Sequence, residues 1–261
     1  MKFLNKKNIF IAIGIALIAM IFLNSTHKRT IMVNGKDHTH TGKDYVLIIA
    51  VGKFAKSTLY QKMDLSQDVA TIKNALITKT LRDKHEIKEL INEKATRANI
   101  IQSVKEISQK LTSNDRFYFY YSGHGTAPSD PALWKHLNAI KGNRNFLNDT
   151  AALIPYDFDE KNLEKTLLIG SRDLQPLFRA IDEKVLEAMI IIDACYSENF
   201  VRGENIPARF IGNQEEPQNT YNIKNAGRST HTNGESDNTK KIAKCLKSNN
   251  QKTKECMNKN R

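Results

Sequence analysis

Three short and uninterrupted apolar runs constrain the fold of this chain more than any other feature of its sequence. They are DYVLIIAV at 44–51, RFYFYY at 116–121 and VLEAMIIID at 185–193. Runs without alternating polar residues are typical of strands that are buried on both faces of a parallel sheet. The sequence therefore predicts strands at these places, with a weaker strand at 86–92 and a short extended piece at 151–156.

The segments between the strands carry apolar residues at helical spacing. They predict three helices, which begin after Asp64, Thr96 and Ser171, three residues of the types that cap helices. The apolar positions are Leu65, Val69, Ile72 and Leu76, then Ile100, Ile101, Val104, Ile107 and Leu111, then Leu174, Leu177, Phe178 and Ile181. Alternating strands and helices predict an α/β fold with a mostly parallel sheet. Residues 125–150 show no periodicity and are expected to form a long loop.

The charge of the chain is concentrated at its two ends. The net charge is +12, yet residues 45–220 hold 23 Lys and Arg against 23 Asp and Glu. The excess is about +5 before Tyr45 and +7 after Thr220. A nucleic-acid-binding domain would carry its positive charge on the folded part, so a nucleic-acid partner is not expected. Basic ends suit a membrane surface or an unstructured tail better.

The N-terminal segment has the pattern of a targeting or anchoring element. Lys2, Lys6 and Lys7 precede fifteen consecutive apolar residues at 9–23. This run is short for a transmembrane helix, which needs roughly 20 residues, and no convincing cleavage site follows it. A signal peptide and an uncleaved membrane anchor both remain open for residues 1–30, with a linker at 31–43. Either one places the rest of the chain outside the cytoplasm, membrane-anchored or periplasmic or secreted.

The three cysteines of the chain divide into one in the predicted α/β region and two in its polar tail. Cys245 and Cys256 would be able to pair in an oxidising compartment, which would leave Cys195 as a thiol; three unpaired cysteines are the alternative. Residues 213–261 are expected to form a basic polar tail. Within it, 240–261 form either a basic helical hairpin closed by this disulfide or a disordered segment.

Two of the predicted strands run directly into reactive residues. One continues into Ser122-Gly123-His124-Gly125 and the other ends at Asp193-Ala194-Cys195. Functional sites of parallel sheets lie at the carboxyl ends of the strands, so neighbouring strands would bring Cys195 and His124 together. The imidazole would take the proton of the thiol and later protonate the leaving amine. The amides of Gly125 and Cys195 are candidates for an oxyanion hole. A solvated histidine and a buried structural cysteine are the alternatives.

These residues resemble the two signatures of a known family. YYSGHG at 120–125 and DACYS at 193–197 are similar to those of the caspase-like cysteine peptidases of family C14, clan CD, closest to the metacaspase and bacterial caspase-homologue branch. The resemblance covers about residues 44–200 and includes LSQDVA at 65–70, ANI at 98–100 and LIPYD at 153–157. It implies a three-layer α/β sandwich, a catalytic domain at 44–212, a polypeptide substrate, and peptide-bond hydrolysis by a Cys/His dyad with no metal or cofactor.

The resemblance also implies a substrate pocket with acidic walls. Asp68, Asp193 and Ser122 stand where metacaspase-like members line the pocket for the side chain before the scissile bond. Two carboxylates favour Arg or Lys there over Asp. The alternative for Asp68 is an ordinary acid at a helix start. Asp157, Asp159 and Glu160 are acidic, but they do not form a recognisable calcium loop, so no metal site is predicted.

The sequence departs from the family after the nucleophile. Ser197-Glu198 stands where many members have Ser-Gly, and only 66 residues follow Cys195, most of them polar. The C-terminal part of the fold is therefore expected to be reduced, with a cleft that is open on one side or completed by a partner chain or a second copy. The alternative function is a caspase-fold interaction module, tethered at a membrane through the N-terminal segment, with weak or no catalysis.

Overall fold

Four parallel strands form the centre of the fold in the computed structural model, which describes residues 42–80, 85–139, 145–147, 150–196, 236–247 and 256. In these residues the strands are β1 (Asp44–Val51), β2 (His85–Ile91), β3 (Arg116–Gly123), β4 (Gly125–Thr126), β5 (Ala152–Leu153), β6 (Leu168–Ile169) and β7 (Glu187–Asp193). The central sheet has the order β2-β1-β3-β7, and all its pairs are parallel. The predicted strands are thereby confirmed, including the weaker one at 86–92.

Six α-helices accompany these strands in the described part of the chain. They are α1 (Ser66–Thr80), α2 (Arg97–Lys110), α3 (Pro131–Ala139), α4 (Leu163–Thr166), α5 (Gln175–Asp182) and α6 (Asp237–Leu246). Helix α2 begins as its sequence predicts, because the Thr96 hydroxyl accepts a hydrogen bond from the Asn99 amide. The Asp64 carboxylate likewise accepts a hydrogen bond from the amide of Ser66, at the start of α1.

The two faces of the central sheet are covered by different helices. Alternate residues of the strands, such as Leu47 and Phe119, lie in one buried cluster with the apolar faces of α2 and α5. The residues between them, such as Ile48 and Tyr120, lie in a second cluster with α1 and α6. A helical layer on each face of a parallel sheet is the three-layer α/β sandwich, so the predicted fold class is confirmed.

A second, smaller sheet stands beside the carboxyl edge of the first. Strands β4, β5 and β6 pair antiparallel in the order β4-β5-β6. The short extended piece predicted at 151–156 is β5. β4 begins at Gly125, directly after His124. The second sheet therefore fixes the direction in which the backbone leaves His124.

Two local predictions are wrong. Residues 125–150 are not a continuous loop, because α3 occupies Pro131–Ala139. Its start signal is present in the sequence: the Asp130 carboxylate accepts a hydrogen bond from the Ala132 amide, and Pro131 supplies a pre-set first turn. Ser171 does not cap the third predicted helix, since a π-helical turn at Gly170–Leu174 leads into α5 and already contains this serine.

The C-terminal helix belongs to the core of the α/β unit. Helix α6 is the only regular element after β7 among the residues that the structure describes. Ile242 and Leu246 are buried against the sheet and α1, and Cys245 forms a disulfide with Cys256. Of the two alternatives for 240–261, the structure therefore contains a helix with the disulfide. Helix α6 thus packs one amphipathic face against the core of the α/β unit.

The chain divides into two compact units, Met1–His40 and Thr41–Arg261, and all described residues belong to the second. The predicted signal or anchor at 1–30 and most of the linker at 31–43 lie outside the described residues, as do Ser197 and Glu198. None of the helices in the described ranges combines the length and the hydrophobicity needed to cross a bilayer.

Candidate active site

The tips of β3 and β7 lie side by side at the carboxyl edge of the sheet. Ser122 on β3 is paired in register with Asp193 on β7. His124 and Cys195 each follow their paired residue by two positions, so both leave the sheet at the same edge and at the same level. The structure therefore brings the two predicted catalytic segments together, as the strand order requires.

Gly125 is the point of closest approach between the two segments. A Cβ atom at this position would overlap the backbone carbonyl oxygen of Cys195 and would lie 3.2 Å from the Cβ of Ala194. Only glycine lets the two backbones approach so closely. The turn at His124 is also stabilised by a side chain, since the Tyr121 hydroxyl lies 2.9 Å from the carbonyl oxygens of both His124 and Ile154. The predicted oxyanion-hole residues, Gly125 and Cys195, thus lie in direct contact.

The ring of His124 is fixed through one of its two nitrogens. Its Nε2 atom lies 2.7 Å from the backbone carbonyl oxygen of Gln61. A carbonyl oxygen only accepts, so Nε2 carries the hydrogen and Nδ1 is the basic nitrogen of the neutral ring. This tautomer is the one that a base acting through Nδ1 requires. Gln61 contributes only its backbone.

Two aromatic rings pack around the same imidazole. The ring centroid of Tyr60 lies 5.2 Å from that of His124, and the centroid of Phe54 lies 6.0 Å away. Burial and the nearby carboxylate of Asp130 raise the pKa of Tyr60, so its phenol stays neutral. The two rings form a wall without charge that restricts rotation of the imidazole.

Cys195 contributes a thiol to the carboxyl edge of the central sheet. It is half-buried, and the disulfide of the described residues joins the two other cysteines. The next residue, Tyr196, has a φ of 59°, in the left-handed region that non-glycine residues rarely adopt. This conformation turns the chain sharply directly after the cysteine, and it is the kind of local strain that recurs at functional sites.

The three predicted pocket residues are also close together. The Ser122 hydroxyl donates to the Asp68 carboxylate over 3.1 Å, and Asp193 lies beside Ser122 on the neighbouring strand. Burial raises the pKa of the Tyr120 phenol, and the nearby carboxylates of Asp193 and Asp68 raise it further. All three predicted residues have no exposed surface.

Helix α6 completes this acidic cluster, which sequence reasoning missed. The backbone N–H of Ser236 donates to Asp68 Oδ1 over 2.7 Å. The Thr239 hydroxyl donates to Asp193 Oδ2 over 2.7 Å. The available signal was a Ser-Asp pair before an amphipathic stretch, which is typical of a helix start. Nothing in that signal tells which carboxylates the helix start would meet.

The acidic residues considered for calcium hold separate parts of the chain. Asp157 accepts a hydrogen bond from the Arg97 amide, Asp159 accepts one from the Lys161 amide, and Glu160 accepts one from the Ser57 hydroxyl. Their oxygens therefore serve as caps and braces for separate loops. In the described ranges no three His, Cys, Asp or Glu side chains are grouped so that they would hold a metal ion.

A three-layer α/β sandwich with a thiol and an imidazole at the tips of adjacent parallel strands defines a caspase-like protein. The family model for the metacaspase, peptidase C14 domain matches residues 56–203 of the chain, more than half of its length. The chain belongs to this family of peptidases.

Comparison with individual proteins adds little to this assignment. No curated protein matches the chain. Among solved structures, the chain is similar to the protein GSU0716 from Geobacter sulfurreducens, with 17% sequence identity and a TM-score of 0.40. That match covers 59% of this chain and 50% of the other, so the chain spans about half the length of this structural neighbour.

Proposed function

We propose that the chain is an active cysteine endopeptidase that uses Cys195 as its nucleophile and His124 as its acid and base. The observation that carries the proposal is the register between β3 and β7, which aligns the two segments at one edge of the sheet. The anchoring of His124 Nε2 by the Gln61 carbonyl supports it, because this contact leaves Nδ1 as the base.

The chemistry of such a site proceeds in two halves. Nδ1 takes the thiol proton, and the thiolate attacks the carbonyl carbon of the scissile bond. The negative charge that develops on the carbonyl oxygen is stabilised by the amides of Gly125 and Cys195. The imidazolium then protonates the leaving amine. In the second half, water that is deprotonated by the same imidazole cleaves the thioester and regenerates the thiol.

The proposed substrate is a polypeptide with Arg or Lys before the scissile bond. Asp68, Ser122 and Asp193 lie at the same edge as Cys195, and Asp193 is only two residues before it. A guanidinium or ammonium group is the natural partner for two adjacent carboxylates, whereas the carboxylate of an Asp substrate would be repelled. Membership of the peptidase C14 family agrees with this reaction type.

The test is a comparison of fluorogenic peptides that end in Arg, Lys or Asp, incubated with the wild type and with Cys195→Ala. Turnover of the basic peptides that Cys195→Ala abolishes is expected. The matched control is Cys245→Ser with Cys256→Ser, which removes the other two sulfurs and should retain turnover. The proposal fails if no peptide is cleaved, or if Cys195→Ala cleaves as well as the wild type.

The specificity is tested separately with Asp68→Asn, which keeps the shape of the side chain and removes its charge. We expect cleavage after Arg to weaken by about 10-fold or more, because a desolvated charge pair is lost. Equal rates in the wild type and Asp68→Asn would contradict the pocket assignment without affecting the dyad.

A further inference from the structure

The acidic pair of the proposed pocket is closed by the chain itself. Asp68 and Asp193 each have a relative exposure of 0%. Each accepts a hydrogen bond of 2.7 Å from the segment that starts α6: Asp68 from the Ser236 amide and Asp193 from the Thr239 hydroxyl. We call residues 236–239 the α6 turn.

The hydrogen bonds of the α6 turn have a defined direction. A threonine hydroxyl has a single hydrogen, and that of Thr239 is donated to Asp193. The Tyr120 phenol, 2.7 Å from the Thr239 oxygen, is therefore the donor in that pair. One series of hydrogen bonds runs from Tyr120 to Thr239 and on to Asp193. A second hydrogen bond runs from Ser236 to Asp68, so both end on carboxylates. The α6 turn thus contacts the two carboxylates only through hydrogen-bond donors, as a basic ligand would.

A basic substrate side chain needs the same carboxylates. It requires carboxylate oxygens within hydrogen-bond distance, and in this structure both side chains are out of reach of solvent and partnered by the α6 turn. We infer that the α6 turn is an internal competitor for the proposed pocket, and that a basic side chain binds by displacing Ser236 and Thr239 from Asp68 and Asp193. This inference rests on the proposed function, since it concerns the same pocket.

The architecture of α6 allows the turn to open while the helix stays in place. From Ile242 to Leu246 the helix is anchored by buried apolar residues and by the disulfide of Cys245. Before that anchor the helix is exposed at Asp237 and Lys240. The first turn of a helix is its least stable part, since its amides lack partners within the helix. Opening therefore requires that one turn unwinds.

Guanidinium is the side-chain group that is best suited to replace the α6 turn. It presents five N–H donors in a planar fork, whereas the displaced contacts are one amide and one hydroxyl. Every carboxylate contact that opens is thereby replaced by one in which the donor is charged as well as the acceptor. An uncharged side chain of the same shape, such as citrulline, has donors but lacks the charge that would offset the lost helix contacts.

The first test is Thr239→Val, which keeps the shape of residue 239 and removes its hydroxyl. The closed pocket loses one hydrogen bond, so kcat/KM for an Arg peptide is expected to rise roughly 2- to 10-fold, mainly through a lower KM. Thr239→Ser keeps the hydroxyl and should behave as the wild type. Lys244→Ala changes an exposed residue of the same helix, beyond the α6 turn, and should also leave kcat/KM unchanged. An unchanged or lower kcat/KM in a folded Thr239→Val overturns the inference.

The second test uses neither turnover nor a substitution in α6. In a Cys195→Ala background, Nα-acetyl-arginine amide should accelerate hydrogen exchange at the amides of residues 239 and 240, because binding releases the α6 turn. Nα-acetyl-citrulline amide is the matched control and should have no effect. Unchanged or slower exchange at saturating arginine amide overturns the inference, as does a failure of arginine amide to bind in calorimetry.

These outcomes are separate from those of the proposed function. Loss of the proposed dyad would appear as a lack of Cys195-dependent turnover, yet the exchange experiment would still report on the α6 turn. Conversely, a wild type that cleaves Arg peptides, together with a Thr239→Val variant that cleaves them no faster, would leave the peptidase proposal in place and remove the competitor.

Discussion

The imidazole of His124 is held by a backbone carbonyl, that of Gln61, which lies 2.7 Å from Nε2. Because this anchor is part of the main chain, no side-chain substitution removes it directly. Its position depends instead on how the loop at 52–64 packs. Tyr60 carries the nearer of the two rings of that loop that lie against the imidazole, 5.2 Å between centroids against 6.0 Å for Phe54. Substitutions of Tyr60 therefore test whether this loop positions the imidazole of His124.

We expect Tyr60→Ala to lower kcat about 10- to 100-fold, because a shift of about 1 Å in a catalytic group has effects of this size. Tyr60→Phe keeps the ring and loses only the contacts of its hydroxyl with Asp130, 3.4 Å away, and with Thr126, so it should retain nearly full kcat. Steady-state kinetics on an Arg peptide compares the two. Equal kcat values for Tyr60→Ala and the wild type would show that the ring does not position His124.

Gly125→Ala should damage the site more than the fold. The added Cβ would overlap the Cys195 carbonyl, so both strand tips must shift apart. We expect a loss of kcat/KM of about 10-fold or more with a modest fall in Tm. The matched control is Gly42→Ala, whose Cβ would overlap the Asn114 carbonyl at the opposite end of β1. That variant should lower Tm while its folded fraction keeps the kcat/KM of the wild type; the opposite pattern would contradict the site geometry.

Asp64 should stabilise the fold in a pH-dependent way. The hydrogen bond from the Ser66 amide lowers the pKa of Asp64, so the carboxylate is ionised in the folded protein at neutral pH. A lowered folded-state pKa contributes stability above the ordinary pKa of an aspartate, and this contribution disappears as pH falls through the folded value. The Tm of Asp64→Ala should therefore lie below that of the wild type at pH 7. The difference should shrink as pH falls below the ordinary aspartate value of 3.8; a difference that stays constant would exclude this linkage.

The strands and the large helices were predictable because each depends on a local pattern. β1 is fully buried along its length, and a continuous apolar run such as 44–51 has few other places in a fold. The catalytic hypothesis follows from these runs and the rule that sites lie at the carboxyl ends of strands, on the condition that the two strands are neighbours. The structure supplies that adjacency and the register that pairs Ser122 with Asp193.

The contacts that escaped prediction are made by the main chain or by a distant segment. Every residue carries a backbone carbonyl like that of Gln61, and every residue except proline carries an amide N–H like that of Ser236, so the sequence does not mark them. Thr239 lies 46 positions from Asp193, and its segment has too few apolar residues to suggest a place in the core. Its burial comes from one amphipathic face that docks on an existing sheet.

The docking of α6 gives a prediction for stability. Ile242 is 1% exposed in the cluster between the sheet and α1, so Ile242→Ala should cost about 2 to 5 kcal/mol of unfolding free energy. Lys241→Ala, on the exposed side of the same helix, should change it by less than about 0.5 kcal/mol. Urea denaturation measures both variants. Equal, small effects would show that α6 is not part of the core.

The last prediction concerns the compartment. The disulfide of Cys245 and Cys256 closes a short loop, with a sequence separation of 11, and stabilises the fold by about 2 to 3 kcal/mol through the unfolded chain. Such bonds persist in oxidising compartments, which agrees with the export proposed from the N-terminal pattern of three lysines before an apolar run.

An alkaline phosphatase fusion after residue 43 tests this export, because that reporter folds only where its disulfides form. We expect activity from the fusion that contains residues 1–43 and none from a matched fusion that lacks residues 1–30. An inactive fusion that contains residues 1–43 would contradict export. The disulfide would then be expected to be reduced in the cell, and thiol alkylation of the protein from freshly lysed cells would show three reactive cysteines instead of one, since Cys195 stands outside the bond.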